Sequence, residues 1–280
     1  MKVIKFRTSI SAKHQAKILE CMPELTELHV GSGFLGSETT NWNENFHVNA
    51  DTLRLWSVPH VFCLLYPTIT HSTKNLQELW INVLNYGVNG LAEVLRRVNP
   101  NLQVLDLDAL DLAAGSVWWG CFPNLIEFVT QFVAPATLIG IVDKCPQIEI
   151  LDVSLAQKGS SAVAYVLAKC SKLRSFVGKG HMIDATRLVQ NPAWVCCDIE
   201  RLHIEVHGIS RAGSQGLGTN EDQAAISSAA RSLSIGVFER LGQLSKLQEL
   251  DLGEYTPLPD QLEHAMEMAF GGGECICTRF

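Results

Sequence analysis

Basic runs, long apolar segments and N-glycosylation sequons are all missing from this chain of 280 residues. Its 22 Lys and Arg stand against 29 Asp and Glu, a formal net charge of −7. Affinity for nucleic acid depends on cationic side chains that neutralise phosphates, so the composition argues against a nucleic-acid partner. The N-terminal MKVIKF lacks the apolar stretch of a signal peptide, and no later segment is long enough to span a membrane. We therefore predict a soluble protein of the cytoplasm or nucleus with no membrane partner.

Short catalytic signatures are also missing. The sequence contains no G-x-S-x-G nucleophile elbow, no P-loop and no H-E-x-x-H zinc helix. We predict that the protein is not an enzyme and uses no cofactor. The alternative is an active site assembled from distant residues, because such a site escapes a motif search.

One glycine pattern resembles a nucleotide-binding loop. Gly31, Gly33 and Gly36 form G-x-G-x-x-G directly after the strand-like LTELHV. In a dinucleotide-binding fold the third glycine opens an apolar helix, whereas the polar segment SETTNWNENFH follows here. The helix N-terminus that would hold a pyrophosphate is not predicted. We therefore interpret this segment as a loop that leaves a strand.

The pattern that is abundant is L-x-x-L-x-L. Eight clear copies are LTELHV, LQELWI, LQVLDL, LIEFVT, IEILDV, LRSFVG, IERLHI and LQELDL, and MKVIKF and ADTLRL fit the same frame. They start at positions 1, 25, 50, 76, 102, 125, 148, 173, 199 and 247. Most intervals are 23 to 26 residues long, which is typical of leucine-rich repeats, and the last interval of 48 indicates an expanded repeat around 206–246.

Helical periodicity follows several of these strands, for example at Leu138, Ile141, Val142 and Cys145. One strand and one amphipathic helix cannot seal a core alone, so the units must stack on their neighbours. Parallel strands require crossover connections, which puts the helices on the far side of the sheet. The sequence thus predicts an α/β leucine-rich-repeat solenoid, with a curved parallel sheet on the concave side and helices on the convex side. We expect one domain over residues 1–280 with about ten repeats, ending in a tail at 271–280.

The nine cysteines are predicted to be reduced. At the position three residues before a repeat start, Cys145, Cys170 and Cys196 alternate with ordinary hydrophobic residues such as Met22 and Phe122. A metal ligand or half of a disulfide does not tolerate such replacement, so these cysteines are predicted to be small buried core residues. The final CTRF does not match a prenylation box, because its two middle residues are not aliphatic.

The segment HIEVH is the best candidate for a metal site. On a strand, His203, Glu205 and His207 point to one face, which brings two imidazoles and a carboxylate together. No fourth ligand is apparent in the sequence. We therefore predict a solvated binding surface at this position and no metal.

The side chains that flank the inward leucines are expected on the concave face. Trp56 and Trp80 occur there in successive repeats, and exposed tryptophans framed by acidic residues suit a protein-binding hot spot. The alternative is that one or both tryptophans pack under neighbouring side chains or loops. The full predicted binding site comprises Arg54, Trp56, Trp80, Asn82, Asp106, Asp108, Asp152, His203 and Glu205.

Several segments carry a resemblance to a known family. CPQIEILDV, CSKLRSFV and NPNLQVLDL resemble the ribonuclease-inhibitor-like, cysteine-containing leucine-rich repeats of F-box/LRR substrate receptors. NPAWVCCDIERLHIEVHGISR, followed by a polar insertion and VFERLGQLSKLQELDLG, resembles fungal F-box/LRR-like proteins. The resemblance implies repeats that hold a substrate and an N-terminal F-box that docks on a cullin-ligase adaptor. Met1 already stands in the repeat frame, so we expect no recognisable F-box ahead of the first repeat in this sequence.

The function predicted from the sequence is a non-catalytic protein–protein interaction scaffold that binds a protein partner on its concave face. The alternative is the substrate-recognition arm of an F-box-type (cullin-RING) ubiquitin ligase, with cullin-ligase subunits as partners. Solenoid ends need a polar cap, and the apolar residues of KVIKF have nothing before them. We therefore expect the chain to be a fragment or a shortened gene product.

Overall fold

The protein is described from a computed structural model. The described residues are 2–7, 10, 14, 17–18, 21–30, 53–58, 75–82, 100–112, 120, 122–155, 161–190, 194–207, 232–233 and 235–252. The chain divides into two compact units, Met1–Ile150 and Leu151–Phe280, and each is treated by itself. The single domain of about ten repeats and its tail at 271–280 stay predictions, and the glycine segment 31–36 lies outside the described residues.

The first unit is built on parallel strands that neighbour each other in chain order. Its strands are β1 (Lys2–Phe6), β2 (Leu25–Val30), β3 (Leu55–Val58), β4 (Glu78–Asn82), β5 (Val104–Leu112) and β6 (Glu127–Val133). Helix α1 (Pro135–Lys144) follows β6 and begins with a proline, whose fixed backbone angle suits the first turn of a helix. Parallel neighbours require a crossover between each pair, and the repeat interval supplies the length for it.

The second unit repeats this architecture. Its elements are β7 (Ile150–Leu155), of which the first residue belongs to the first unit, α2 (Ser161–Lys169), β8 (Ser175–Asp184), α3 (Ala185–Gln190), β9 (Arg201–His207) and β10 (Glu249–Asp251). Strand β9 pairs in parallel with β8 and with β10. The register sets Leu250 beside Leu202, so the 48-residue interval ends in the frame of the preceding repeat.

The leucines of the repeated pattern form the core of each unit. In the first unit the buried set includes Leu25, Leu28, Leu76, Leu79, Leu102, Leu105, Leu125 and Phe128. In the second unit it includes Leu151, Leu173, Phe176, Ile199 and Leu202. Helix α1 buries Leu138 and Ile141, which lie on the face that the periodicity predicted. The fold class predicted from the sequence, an α/β leucine-rich-repeat solenoid with parallel strands, is confirmed.

The repeat frame at β3 differs from the predicted one. The sequence predicts a start of this copy at Ala50, but the register sets Trp56 beside Leu28 on β2 and Leu79 on β4. The pattern therefore starts at Leu53, and Trp56 takes the place of the second leucine. Leu53 and Trp56 are both fully buried. The observed frame is favoured because it places Trp56 in the core. A tryptophan side chain buries far more apolar surface than the alanine at position 50, which would be the first core residue in the predicted frame.

The three cysteines predicted to be core residues are buried. Cys145, Cys170 and Cys196 all lie below a tenth exposed. Burial raises the pKa of the Cys170 and Cys196 thiols to about 12, and the Cys196 thiol donates a hydrogen bond to the Leu167 carbonyl at 3.2 Å. These thiols are therefore protonated at neutral pH, which suits a packing role.

Candidate protein-binding surface

The strand register places two rows of outward side chains on the sheet of the first unit. The third residues of the repeated pattern form one row: Val3, Glu27, Leu55, Glu78, Val104 and Glu127. The fifth residues form the other row: Lys5, His29, Ser57, Trp80, Asp106 and Val129. Alternate residues of a strand point to opposite faces, so both rows lie opposite the buried leucines of the pattern, although Leu55 is itself buried, with 8% of its surface exposed. We call these two rows the outer face of the first unit.

Trp80 is the large aromatic residue of this outer face. Its exposed fraction is 38%, high for a tryptophan at the middle of a strand. The ring of His29 meets the Trp80 ring edge-on, with ring centroids 6.1 Å apart and planes at 80°. Ser57 stands between them in the register, and its small side chain lets the two rings meet across β3. Trp80 is therefore oriented by its neighbour while much of its surface stays open to solvent.

The charges around Trp80 are mainly negative. Glu78 precedes it by two residues on the same strand, and Asp106 is its partner on β5. Glu27 lies on β2, with a carboxylate oxygen 3.5 Å from the His29 ring nitrogen. Within the two rows that define the outer face, Lys5 on β1 is the one Lys or Arg. The described outer face thus combines an open aromatic ring with an excess of carboxylates.

Trp56 does not belong to this surface, which corrects the sequence prediction. Its exposed fraction is 0%. The repeat starts three residues later than predicted. Because three is an odd number and strand residues alternate between two faces, the Trp56 side chain lies on the core face and not on the outer face. Its indole nitrogen has no hydrogen-bond partner within the described part of the chain. The alternative considered from the sequence, a packed tryptophan, therefore holds for Trp56.

Arg54 has a different neighbourhood from Trp80. It precedes β3, and its guanidinium donates two hydrogen bonds to the Gln77 side-chain oxygen, at 3.1 and 2.8 Å. Gln77 belongs to a polar cavity of about 440 Å³ at the amino ends of the strands. The residues that line this cavity are Asn75, Gln77, Asn101, Gln103, Asn124, Ile126, Gln147 and Glu149. Arg54 is thus hydrogen-bonded to one of the amide side chains that line this cavity.

Two further predicted residues lie on neighbouring strands, Asn82 at the end of β4 and Asp108 in the middle of β5. Asn82 and Asp108 are partners in the register of β4 and β5. Their side chains lie outside the described part of the structure. Their place in a binding site stays a prediction.

The remaining predicted residues lie in the second unit. Asp152 is on β7, while His203 and Glu205 are on β9. The His203 ring nitrogen Nε2 lies 2.9 Å from Glu249 Oε1, and Arg201 Nε donates to Glu249 Oε2 at 2.6 Å. Burial raises the pKa of the Glu249 carboxyl, but the Arg201 hydrogen bond and the charges of Arg201 and His203 outweigh it and hold that pKa below its ordinary value. His203 and Arg201 therefore meet at the Glu249 carboxylate of the neighbouring strand.

The HIEVH segment forms no metal site in the described residues. His207 Nε2 lies 3.9 Å from Glu205 Oε2, while His203 pairs with Glu249. Among the residues that the structure describes, no three His, Cys, Asp or Glu side chains are grouped to hold a metal ion. Metal-free function stays a prediction.

Sequence reasoning missed His29, Glu27 and Glu78 on the outer face and Arg201 and Glu249 in the second unit. All five stand at the third or fifth position of the pattern. Applying the same position rule to every repeat would have found them.

Comparison with known proteins gives a distant structural likeness. No protein-family model matches the chain, and no curated protein matches it. Among the solved structures that match is the leucine-rich repeat-containing protein LegL7 from Legionella pneumophila. The two are 13% identical with a TM-score of 0.44, and the match covers 97% of this chain and 98% of that chain.

Within the described part of the chain, no helix is both long and apolar enough to cross a bilayer. The chain's own parallel strands, register and buried leucines show that it has a leucine-rich-repeat fold.

Proposed function

We propose that the protein is a non-catalytic scaffold that binds a protein partner on the outer face of the first unit. The observation that carries this proposal is Trp80, an exposed tryptophan held edge-on by His29 and flanked by Glu78 and Asp106. Tryptophan is enriched in the hot spots of protein interfaces, because it offers a large contact area at a low cost in side-chain entropy.

The third-position row supports a protein ligand. It alternates apolar and acidic residues from strand to strand: Val3, Glu27, Leu55, Glu78, Val104 and Glu127. Interfaces between proteins combine apolar contacts with charges that select the partner. The regular spacing of the strands, about 4.8 Å, spreads this mixture over a continuous surface.

The experiment is affinity purification of the tagged full chain from its own cells, followed by mass spectrometry. Trp80→Ala is compared with Ile235→Ala, which removes an exposed apolar side chain from a helical segment of the second unit. We expect Trp80→Ala to weaken binding of a specific partner by about thirtyfold or more and so to lower its recovery, since a hot-spot tryptophan contributes at least about 2 kcal/mol. Ile235→Ala should leave recovery unchanged. Equal recovery by both variants, with both folded by circular dichroism, would rule out this surface.

The ubiquitin-ligase alternative rests on the resemblance to F-box/LRR proteins of fungi, and the same purification tests it. Recovery of cullin-ligase subunits would favour a substrate-recognition arm, whereas their absence beside another Trp80-dependent partner would favour a free-standing scaffold. Residence in the cytoplasm or nucleus stays a prediction that imaging of the tagged chain checks.

A further inference from the structure

The outer face of the first unit carries a periodic arrangement of carboxylates. Glu27, Glu78 and Glu127 occupy the same row on β2, β4 and β6. They stand on every second strand, so their backbone positions are separated by about 9.6 Å across the sheet. The intervening positions are the apolar Leu55 and Val104. All three glutamates are half-buried.

A chain that crosses the strands meets these carboxylates at a defined spacing. In a fully extended strand, side chains on one side recur every two residues, or about 6.7 Å, which does not match the glutamates. In a polyproline II helix they recur every three residues with a rise of about 3.1 Å each, or about 9.3 Å in all. The glutamate row therefore fits cations at every third residue of a polyproline II segment.

Trp80 identifies the kind of cation at the middle of this row. It lies two residues after Glu78 on the same face of β4, with Asp106 beside it on β5. A guanidinium stacks on an indole ring and forms paired hydrogen bonds with a carboxylate, so one arginine satisfies both groups at once. Lysine offers a point charge without the planar fork.

We propose that the outer face of the first unit binds an extended partner segment with arginine at every third residue, the middle arginine stacking on Trp80 beside Glu78 and Asp106. The proposal rests on the proposed function, since it names the chemistry of the partner for the same surface. The excess of carboxylates over the one lysine in these rows supplies the charge complementarity.

The test uses synthetic peptides and the full chain, with binding measured by fluorescence anisotropy. The main probe is a peptide of three Arg-Pro-Pro triplets, because proline favours polyproline II. A second peptide has the same composition with its arginines adjacent, and a third replaces each arginine by neutral citrulline. We expect the spaced probe to bind about tenfold more tightly than either control peptide. Equal binding of the spaced and clustered peptides would overturn the proposal, because it would show a simple response to net charge.

Protein variants locate the site. Trp80→Ala should weaken the spaced probe by about tenfold and Glu78→Gln by about fivefold. The matched control is Glu239→Gln, which removes the same charge from an exposed position on a helical segment of the second unit. It should change binding by less than about twofold. Equal effects of Glu78→Gln and Glu239→Gln would overturn the proposed site.

The two proposals fail in different ways. If Trp80→Ala abolishes recovery of the cellular partner but no spaced-arginine preference is found, the surface binds a partner of other chemistry and the arginine proposal is wrong. If the spaced probe binds as expected while Trp80→Ala leaves every cellular partner in place, the arginine site stands and the proposed function is wrong.

Discussion

Two tryptophans of neighbouring repeats have opposite environments. Trp56 stands in register with Leu28 and Leu79 in the core, whereas Trp80 stands in register with Ser57 and Asp106 on the outer face. The residue type is the same, and only the parity of its place on the strand differs. The buried Trp56 ring stabilises the fold by packing in the core, while the exposed Trp80 ring is available for contact with a partner.

Alanine substitutions separate these two roles. Trp56→Ala should lower the free energy of unfolding by about 3 to 5 kcal/mol, because it leaves a large cavity in the core. Trp80→Ala should lower it by less, about 1 kcal/mol, since 38% of the side chain is already exposed in the folded state and its removal leaves no closed cavity. Urea unfolding followed by circular dichroism measures both values. A larger loss for Trp80→Ala than for Trp56→Ala would contradict the assignment of the two faces.

At the scale of elements, one residue joins a strand to a helix. Asp184 ends β8, and α3 begins at the next residue. Its Oδ1 accepts hydrogen bonds from the backbone nitrogens of Thr186 at 2.9 Å and Arg187 at 3.2 Å. The first backbone N–H groups of a helix have no partner within the helix, so this carboxylate supplies the missing acceptor.

Substitutions at Asp184 test this cap. Asp184→Ala should lower the free energy of unfolding by about 1 kcal/mol, because two donors lose their acceptor. Asp184→Asn is the matched control, and it should stay within about 0.5 kcal/mol of the wild type since asparagine caps as well as aspartate. Thermal unfolding of both variants at neutral pH gives the comparison. If the asparagine variant loses as much as the alanine variant, capping is not the role of this side chain.

At the scale of the whole molecule, stability is built from local pairings. Each described strand hydrogen-bonds to the strand that precedes or follows it in the chain, for example β3 to β2 and β4. In such an array each repeat contacts its nearest neighbours, so a substitution that destabilises one repeat has little effect on the stability of distant repeats. A globular two-state domain would instead respond as one unit.

Hydrogen exchange of the Trp56→Ala variant distinguishes these behaviours. We expect loss of protection in peptides that cover β2, β3 and β4, and near wild-type protection in β8 and β9 of the second unit. Mass spectrometry of proteolytic peptides measures the exchange, with Trp80→Ala as the control that leaves the core intact. A uniform loss across both units would show that the chain unfolds as one cooperative body.

Much of the fold follows from the periodicity of the sequence. Leucines at fixed places of an interval that is mostly 23 to 26 residues long predict buried strand positions and crossovers, because a strand alternates between two faces and parallel neighbours need a connection of that length. The same arithmetic found the buried Cys145, Cys170 and Cys196. For Trp80 and Asp106, position in the pattern was enough to identify the outward side of the strand.

What the sequence by itself determined was therefore the period, the parallel strands and most of the core, since these depend on local spacing. Tertiary structure decided which of two overlapping frames β3 adopts, because only packing between Leu28 and Leu79 favours burial of Trp56. It also decided that His203 pairs with Glu249, 46 residues away, and that His29 reaches Trp80 across Ser57. Such contacts join different strands, and their geometry arises from register and side-chain volume that no single segment of the chain contains.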